Sequence, residues 1–184
     1  MKKNTKIILG SVIGLAVLGA ATLALVLTQP KDDTADSGTS SDTSVSITDY
    51  KTDDISTLTI SNESGEYTIN RLGKEKWGID SIPEALANSS SYSNAMSSAG
   101  GMSAKQVVEE DAADLAKYGF DKPTATIKMT FKDNKADDIT CLVGIKYEGE
   151  NSWYVKTDKS NTVYLVSNSG VLCQQVNAGS VLRL

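Results

Sequence analysis

The chain has no histidine and only two cysteines among its 184 residues. The first absence removes the commonest general base, proton shuttle and metal ligand at once, and with them every histidine-activated serine or cysteine nucleophile. The second leaves no C-x-x-C pair, and two thiols without a histidine make a poor zinc site. The glycine fingerprints of phosphate and dinucleotide loops are missing as well. Serine–lysine dyads and carboxylate pairs stay open, but no spacing points to one. No catalytic residue, cofactor or metal ligand is assigned from the sequence.

Positive charge is the next scarcity. Three of the eighteen basic residues, Lys2, Lys3 and Lys6, stand in the first six positions, a basic tail. The other fifteen share residues 28–184 with all twenty-three acidic ones, a formal charge of −8. Nucleic acid is therefore a poor partner, because its phosphates call for lysine and arginine patches. Close docking of this region on an anionic membrane surface is disfavoured for the same reason.

Between those parts, Ile7 to Leu27 runs without a charge. At about 1.5 Å per residue this spans roughly 30 Å as a helix, the thickness of a bilayer's hydrocarbon core. A cleaved secretory signal has an apolar region of only about 7–15 residues, so a transmembrane signal-anchor is the favoured reading. A cleaved signal stays open at Gly19-Ala20-Ala21, although that site sits inside the apolar run. The preceding lysines predict a cytoplasmic Met1 and an extracytoplasmic remainder. Residues 28–46, rich in Ser, Thr, Asp and Gly, read as a disordered linker with a reach of roughly 25 Å.

From Ile47 to Leu184 the pattern predicts one α+β domain. Period-two alternation over 57–61, 66–70 and 76–79 gives a first antiparallel meander. Ala125, Ile127, Met129 and Phe131 open a second, continued by 139–145, 152–156 and 162–166. The two meanders are alike in outline, without a residue-level repeat. Intervening and C-terminal short helices complete the fold. Pro83 and Glu84 open a marginal helix that dissolves in a serine-rich loop, with Leu86, Ser90, Asn94 and Met96 at helical spacing. Residues 104–110 read either as a strand or as the lead-in to a helix. Asp111 caps a short helix with Asp114 in its first turn and Leu115 and Tyr118 on its inner face. Asn168 caps a last helix carrying Val171, Leu172, Gln175 and Val176.

Two acidic clusters invite a calcium reading: Glu109, Glu110, Asp111 and Asp114, then Asp133, Asp137 and Asp138. Neither fits a calcium loop, since Lys135 occupies a ligand position and no glycine or closing glutamate follows. Trp153 and Tyr154 are adjacent on a strand and point to opposite faces, so one of them is an exposed binding aromatic unless a helix covers it. Cys141 and Cys173 fall in the exported part, where a disulfide is permitted. Cys141 also shares a strand face with Ile139, Val143 and Ile145, which suits a buried thiol equally well.

The segments "DDISTLTISNESGEYTINR", "KWGI", "VVEEDAADLAKYGFDKPTATIKMTF", "LVGIK" and "WYVK…TVYLV" resemble, in order, a bacterial envelope family, DUF4340, over about residues 50–170. The most specific element is "DLAKYGFDKP", similar to the family's "dla-YGL-x-x-P" signature, with Phe120 where leucine is usual. Asp111, Leu115, Tyr118, Gly119, Phe120 and Pro123 carry it. The resemblance implies a single N-terminal anchor and no established catalytic residues. It also implies, by gene association alone, an envelope or transporter partner, including ABC systems. The residues themselves read as a joint: Gly119 ends a helix in the left-handed conformation, Phe120 packs beyond it, and Pro123 turns the chain toward a strand. Together these features lead to the expectation of a membrane-anchored extracytoplasmic binding or accessory module. The alternatives are a small-ligand sensor and a histidine-independent envelope hydrolase using carboxylates. The oligomeric state stays open.

Overall fold

Alternating apolar and hydroxylated residues leave an antiparallel sheet as the chain's simplest way to bury one face. A computed structural model describes residues 44–183, without the side chains of Leu172 and Cys173. Ten strands follow in chain order: β1 (Val45–Ser46), β2 (Ile55–Asn62), β3 (Gly65–Gly73), β4 (Lys76–Gly78), β5 (Ser103–Ala104), β6 (Gln106–Glu109), β7 (Ala125–Phe131), β8 (Ile139–Tyr147), β9 (Ser152–Thr157) and β10 (Val163–Ser167). Two α-helices, α1 (Ser89–Gly100) and α2 (Ala178–Val181), join short 3₁₀ turns. The fold class is α+β. The meanders β2–β3–β4 and β7–β8–β9–β10 fuse through the β2–β7 pair into one eight-stranded sheet, in the order β4-β3-β2-β7-β8-β9-β10-β6. The ambiguous segment before Asp111 supplies β6, an edge strand antiparallel to β10. The small pair β1–β5 stands apart from this sheet.

The front face of the sheet carries the main core. Leu58, Ile60, Ile69, Ile127, Met129, Cys141, Val143 and Val155 are buried there against α1 and the C-terminal segment. Helix α1 differs from the expected marginal helix. It begins at Ser89 rather than Pro83, with Asn88 Oδ1 accepting from the Ser91 N–H at 3.2 Å, and it runs through the serine-rich stretch. Its buried face is Tyr92, Ala95, Met96 and Ala99, spaced three and four apart. Of the four residues expected at helical spacing only Met96 is buried, whereas Leu86, Ser90 and Asn94 are exposed. Small alanines bring the helix close to the sheet, and Tyr92 crosses to donate its hydroxyl to the Val181 carbonyl at 2.7 Å.

The C-terminal expectation also changes. Asn168–Gln175 is a 3₁₀ segment broken at Val171 rather than a regular helix. The Asn168 side chain does not cap it, because Oδ1 accepts from Gln175 Nε2 at 2.9 Å and Trp153 Nε1 at 3.4 Å. Gln175 is exposed while Val171, Gln174 and Val176 are buried. On β8, Ile139, Cys141 and Val143 are buried as expected, but Ile145 is 45% exposed, because the register slips between Val143 and Lys146.

The start of the described chain is pinned tightly. β1 lies just ahead of the expected domain start at Ile47. Thr48 is buried, with its Oγ1 donating to the Ala99 carbonyl and accepting from the Met102 N–H, both at 2.8 Å. The expected basic tail, transmembrane helix and most of the linker lie outside the described residues. Among the described residues no helix is long and apolar enough to cross a membrane.

Candidate functional site

The segment that the sequence marks as a joint is a strap over the back of the sheet. Asp111 caps nothing: its φ is 49°, and the only helix nearby is a 3₁₀ turn at Ala116–Tyr118 preceded by Leu115. The reason is tertiary. Ala112 is buried and its N–H donates to the Asn161 carbonyl at 3.1 Å, which pins the chain to the β9–β10 turn before it can coil. Asp114 makes a local Asx turn ahead of the 3₁₀ turn, Oδ1 accepting from the Ala116 N–H at 3.1 Å. Gly119 then turns left-handed, φ 81° and ψ 19°, as the residues predict.

Beneath the strap lies a second apolar cluster of Ala112, Tyr118, Phe120 and Val163, edged by Leu115, Leu142 and Tyr154. Two glycines let the strap lie directly on β8. A Cβ at Gly144 would stand 2.0 Å from the Tyr118 carbonyl oxygen, and one at Gly119 would stand 2.9 Å from the Ile145 nitrogen. The rings of Tyr118 and Tyr154 pack 4.9 Å apart. Glu109 on β6 clamps the strap's outer edge, accepting from Tyr118 Oη at 2.6 Å and Lys117 Nζ at 2.7 Å. The Lys117 hydrogen bond, then that of Tyr118, holds the Glu109 carboxyl below the usual range. The same carboxylate raises the Tyr118 hydroxyl, with burial adding to it.

Where the strap leaves the sheet, Lys122, Pro123 and Thr124 form one wall of an open groove of about 970 Å³. The β2–β3 turn, Asn62 to Ser64, forms a second wall, and Gln174, Gln175 and Asn177 form a third. Ser61, Thr126 and Trp153 complete the lining at this end of the sheet. Asn62 ties two walls together: Nδ2 donates to the Gln174 carbonyl at 2.5 Å and the Val176 carbonyl at 2.9 Å. Thr124 Oγ1 is spent on the Val143 and Gly144 carbonyls at 3.1 and 2.8 Å. Among the described residues the side chains of Ser61, Thr126, Gln174, Lys122 and Glu63 make no hydrogen bond or ion pair. They are free to meet a ligand. Only Glu63 and Lys122 in the lining are ionisable.

The two strand aromatics take different places. Trp153 is half-buried against the main core and lines the groove. Tyr154, also half-buried, faces the strap on the opposite side. The strap covers Tyr154, whereas Trp153 keeps part of its surface open to the groove. Cys141 is fully buried. The expected bridge to Cys173 falls on a side chain outside the described residues. Among the described residues no group of three or more His, Cys, Asp or Glu is placed to hold a metal ion. Gln174 and the Asn62 turn were missed by sequence reasoning, and only the asparagine ahead of a Ser-Gly turn could have drawn attention to that corner.

A family model described as "Domain of unknown function (DUF4340)" matches residues 77–173. The chain belongs to this family. The DUF4340 match includes the strap, α1 and the whole second meander, with Trp153 inside it. It begins at Trp77, later than the residue-50 start suggested by the resemblance, so β2 and β3 precede it. No curated protein and no solved structure matches the chain.

Proposed function

We propose that this DUF4340 protein is a membrane-anchored extracytoplasmic module of a cell-envelope complex that binds rather than transforms its ligand. The observation that carries this reading is the groove at the sheet end, where Trp153 sits among hydrogen-bonding side chains that have no partner of their own. A ligand supplies those partners without loss of any bond in the fold. The groove is lined by one carboxylate, Glu63, so a two-carboxylate hydrolysis has no second acid at hand. The anchor is supplied by the apolar run Ile7 to Leu27, and the basic residues before it orient the domain outward. A transporter-type partner is the association that the family resemblance suggests.

Two measurements test the reading. Protease added to intact protoplasts is expected to digest the domain, and protection until lysis overturns the topology. A photo-crosslinking residue at position 122 is expected to capture one defined envelope component, while one at exposed position 74, between β3 and β4 and outside the groove lining, captures none. Equal labelling from both positions, or from neither, removes the groove as the binding surface.

A further inference from the structure

The chemistry of the groove narrows its ligand. We infer that it binds a neutral, hydroxyl-rich oligomer, a short glycan chain, with Trp153 as the platform for one ring. This rests on the binding reading above and specifies its ligand class. A pyranose has a C–H face that lies on an indole and a rim of hydroxyls that both donate and accept. Trp153 and Pro123 supply flat apolar surface. The Ser61 and Thr126 hydroxyls and the Gln174 amide supply unengaged groups of both hydrogen-bonding senses. Ser61 and Thr126 are direct cross-strand partners on β2 and β7, on the sheet face opposite the one against which Trp153 packs, so they would meet a part of the oligomer beyond the ring on Trp153. The Trp153 indole is held by its Nε1 contact to Asn168 Oδ1 at 3.4 Å, which limits its rotation.

Other ligand classes fit less well. A phosphate or other polyanion needs several cations, and Lys122 is the one basic residue in the lining. An extended peptide is recognised through free backbone at a sheet edge, whereas β2, β7 and β9 are all paired on both sides here. A lipid tail needs an enclosed apolar slot, whereas this groove is open and ten of its twelve lining residues are polar or charged. The volume of about 970 Å³ lies at the upper end of the range of small-molecule sites, roughly 300–1,000 Å³, which favours an oligomer over a monosaccharide.

The test uses the full chain in lipid nanodiscs, which avoids sugar-based detergents. Calorimetry and tryptophan fluorescence are run with tetra-N-acetylglucosamine, maltotetraose, tetra-alanine, inorganic pyrophosphate and laurate. At least one of the two tetrasaccharides is expected to bind and to shift tryptophan emission. Trp153→Ala is expected to weaken it about tenfold or more, and Trp153→Phe to restore most of that. Thr126→Val, which keeps shape and removes one hydroxyl, is expected to weaken it about threefold without moving the melting curve. Lys74→Ala, an exposed change outside the groove lining, is expected to leave glycan affinity within about twofold. If tetra-alanine, pyrophosphate or laurate binds instead, and Trp153→Ala abolishes it, the glycan assignment is overturned and the binding groove stands. If none of the five binds at millimolar concentration, the glycan assignment falls, and the binding reading then rests on crosslinking from position 122 alone.

Discussion

The back of the sheet is finished in two ways. Over β8, β9 and β10 it is covered by the strap, with apolar and aromatic side chains from both layers. Over β2, β3 and β7 it carries hydroxyls that satisfy each other across strands: Thr57 with Thr130 at 2.7 Å, and Thr59 with Thr68 at 3.1 Å. The two apolar clusters do not extend over this half. The difference shows what covering a sheet face requires. Apolar residues on the strands are not enough; the covering backbone must also come within contact distance, and here two glycines permit it. A threonine face needs no cover where its hydroxyls pair across strands, as these four do.

The most severe way to break this contrast is to push the strap off. Gly144→Ala places a methyl against the Tyr118 carbonyl, a backbone atom that cannot swing aside. The expected cost is about 3 kcal/mol, measured by chemical denaturation, with faster proteolysis between residues 110 and 123. Gly119→Val combines left-handed strain with contact on Ile145, and is expected to cost roughly 2 kcal/mol. Unchanged melting in both variants would mean that the strap contributes nothing to stability.

A gentler cut tests the edge clamp. Tyr118→Phe keeps the ring against Tyr154 and removes the hydroxyl from Glu109, lowering Tm by about 3 °C at neutral pH. The pH dependence has a definite sign. Glu109 is held below its ordinary pKa in the folded state, so its contribution is present above the unfolded value and fades as pH falls through the two. Tm measured down through the ordinary glutamate range, about 4.3, should therefore fall less steeply in Tyr118→Phe than in the parent. At the small end, Thr59→Val on the uncovered half is expected to change stability by no more than about 0.5 kcal/mol. A larger loss there would erase the distinction between the halves.

How much of this was legible depended on range. The strands were, since period-two alternation is a local property: Ala125, Ile127, Met129 and Phe131 are all buried as their spacing predicts. Gly119 was too, because Pro123 and Phe120 frame it locally. Helix α1 was blurred, since seven serines between 89 and 103 hide the spacing of Tyr92, Ala95, Met96 and Ala99. The role of Asp111 was misread because a backbone bond to Asn161, 49 residues on, overrides its capping propensity. The strap's dependence on Gly144 is a contact between segments 26 residues apart, which composition does not encode. The groove was the least legible part. Trp153 stood out, but its walls come from separate stretches, and Gln174 has no distinguishing neighbours in sequence.

The Thr48 clasp has a mechanical consequence. Any pull on the chain ahead of Ser44 arrives first at the two-residue pairing of β1 with β5, and then at the Thr48 hydroxyl and the backbone bonds of Ile47, Thr48 and Tyr50 that hold the end of α1. The eight-stranded sheet lies behind both. Tension is thus taken up in series by a weak link and a stronger one, and the domain has a fuse at its entry point that gives before the groove is deformed.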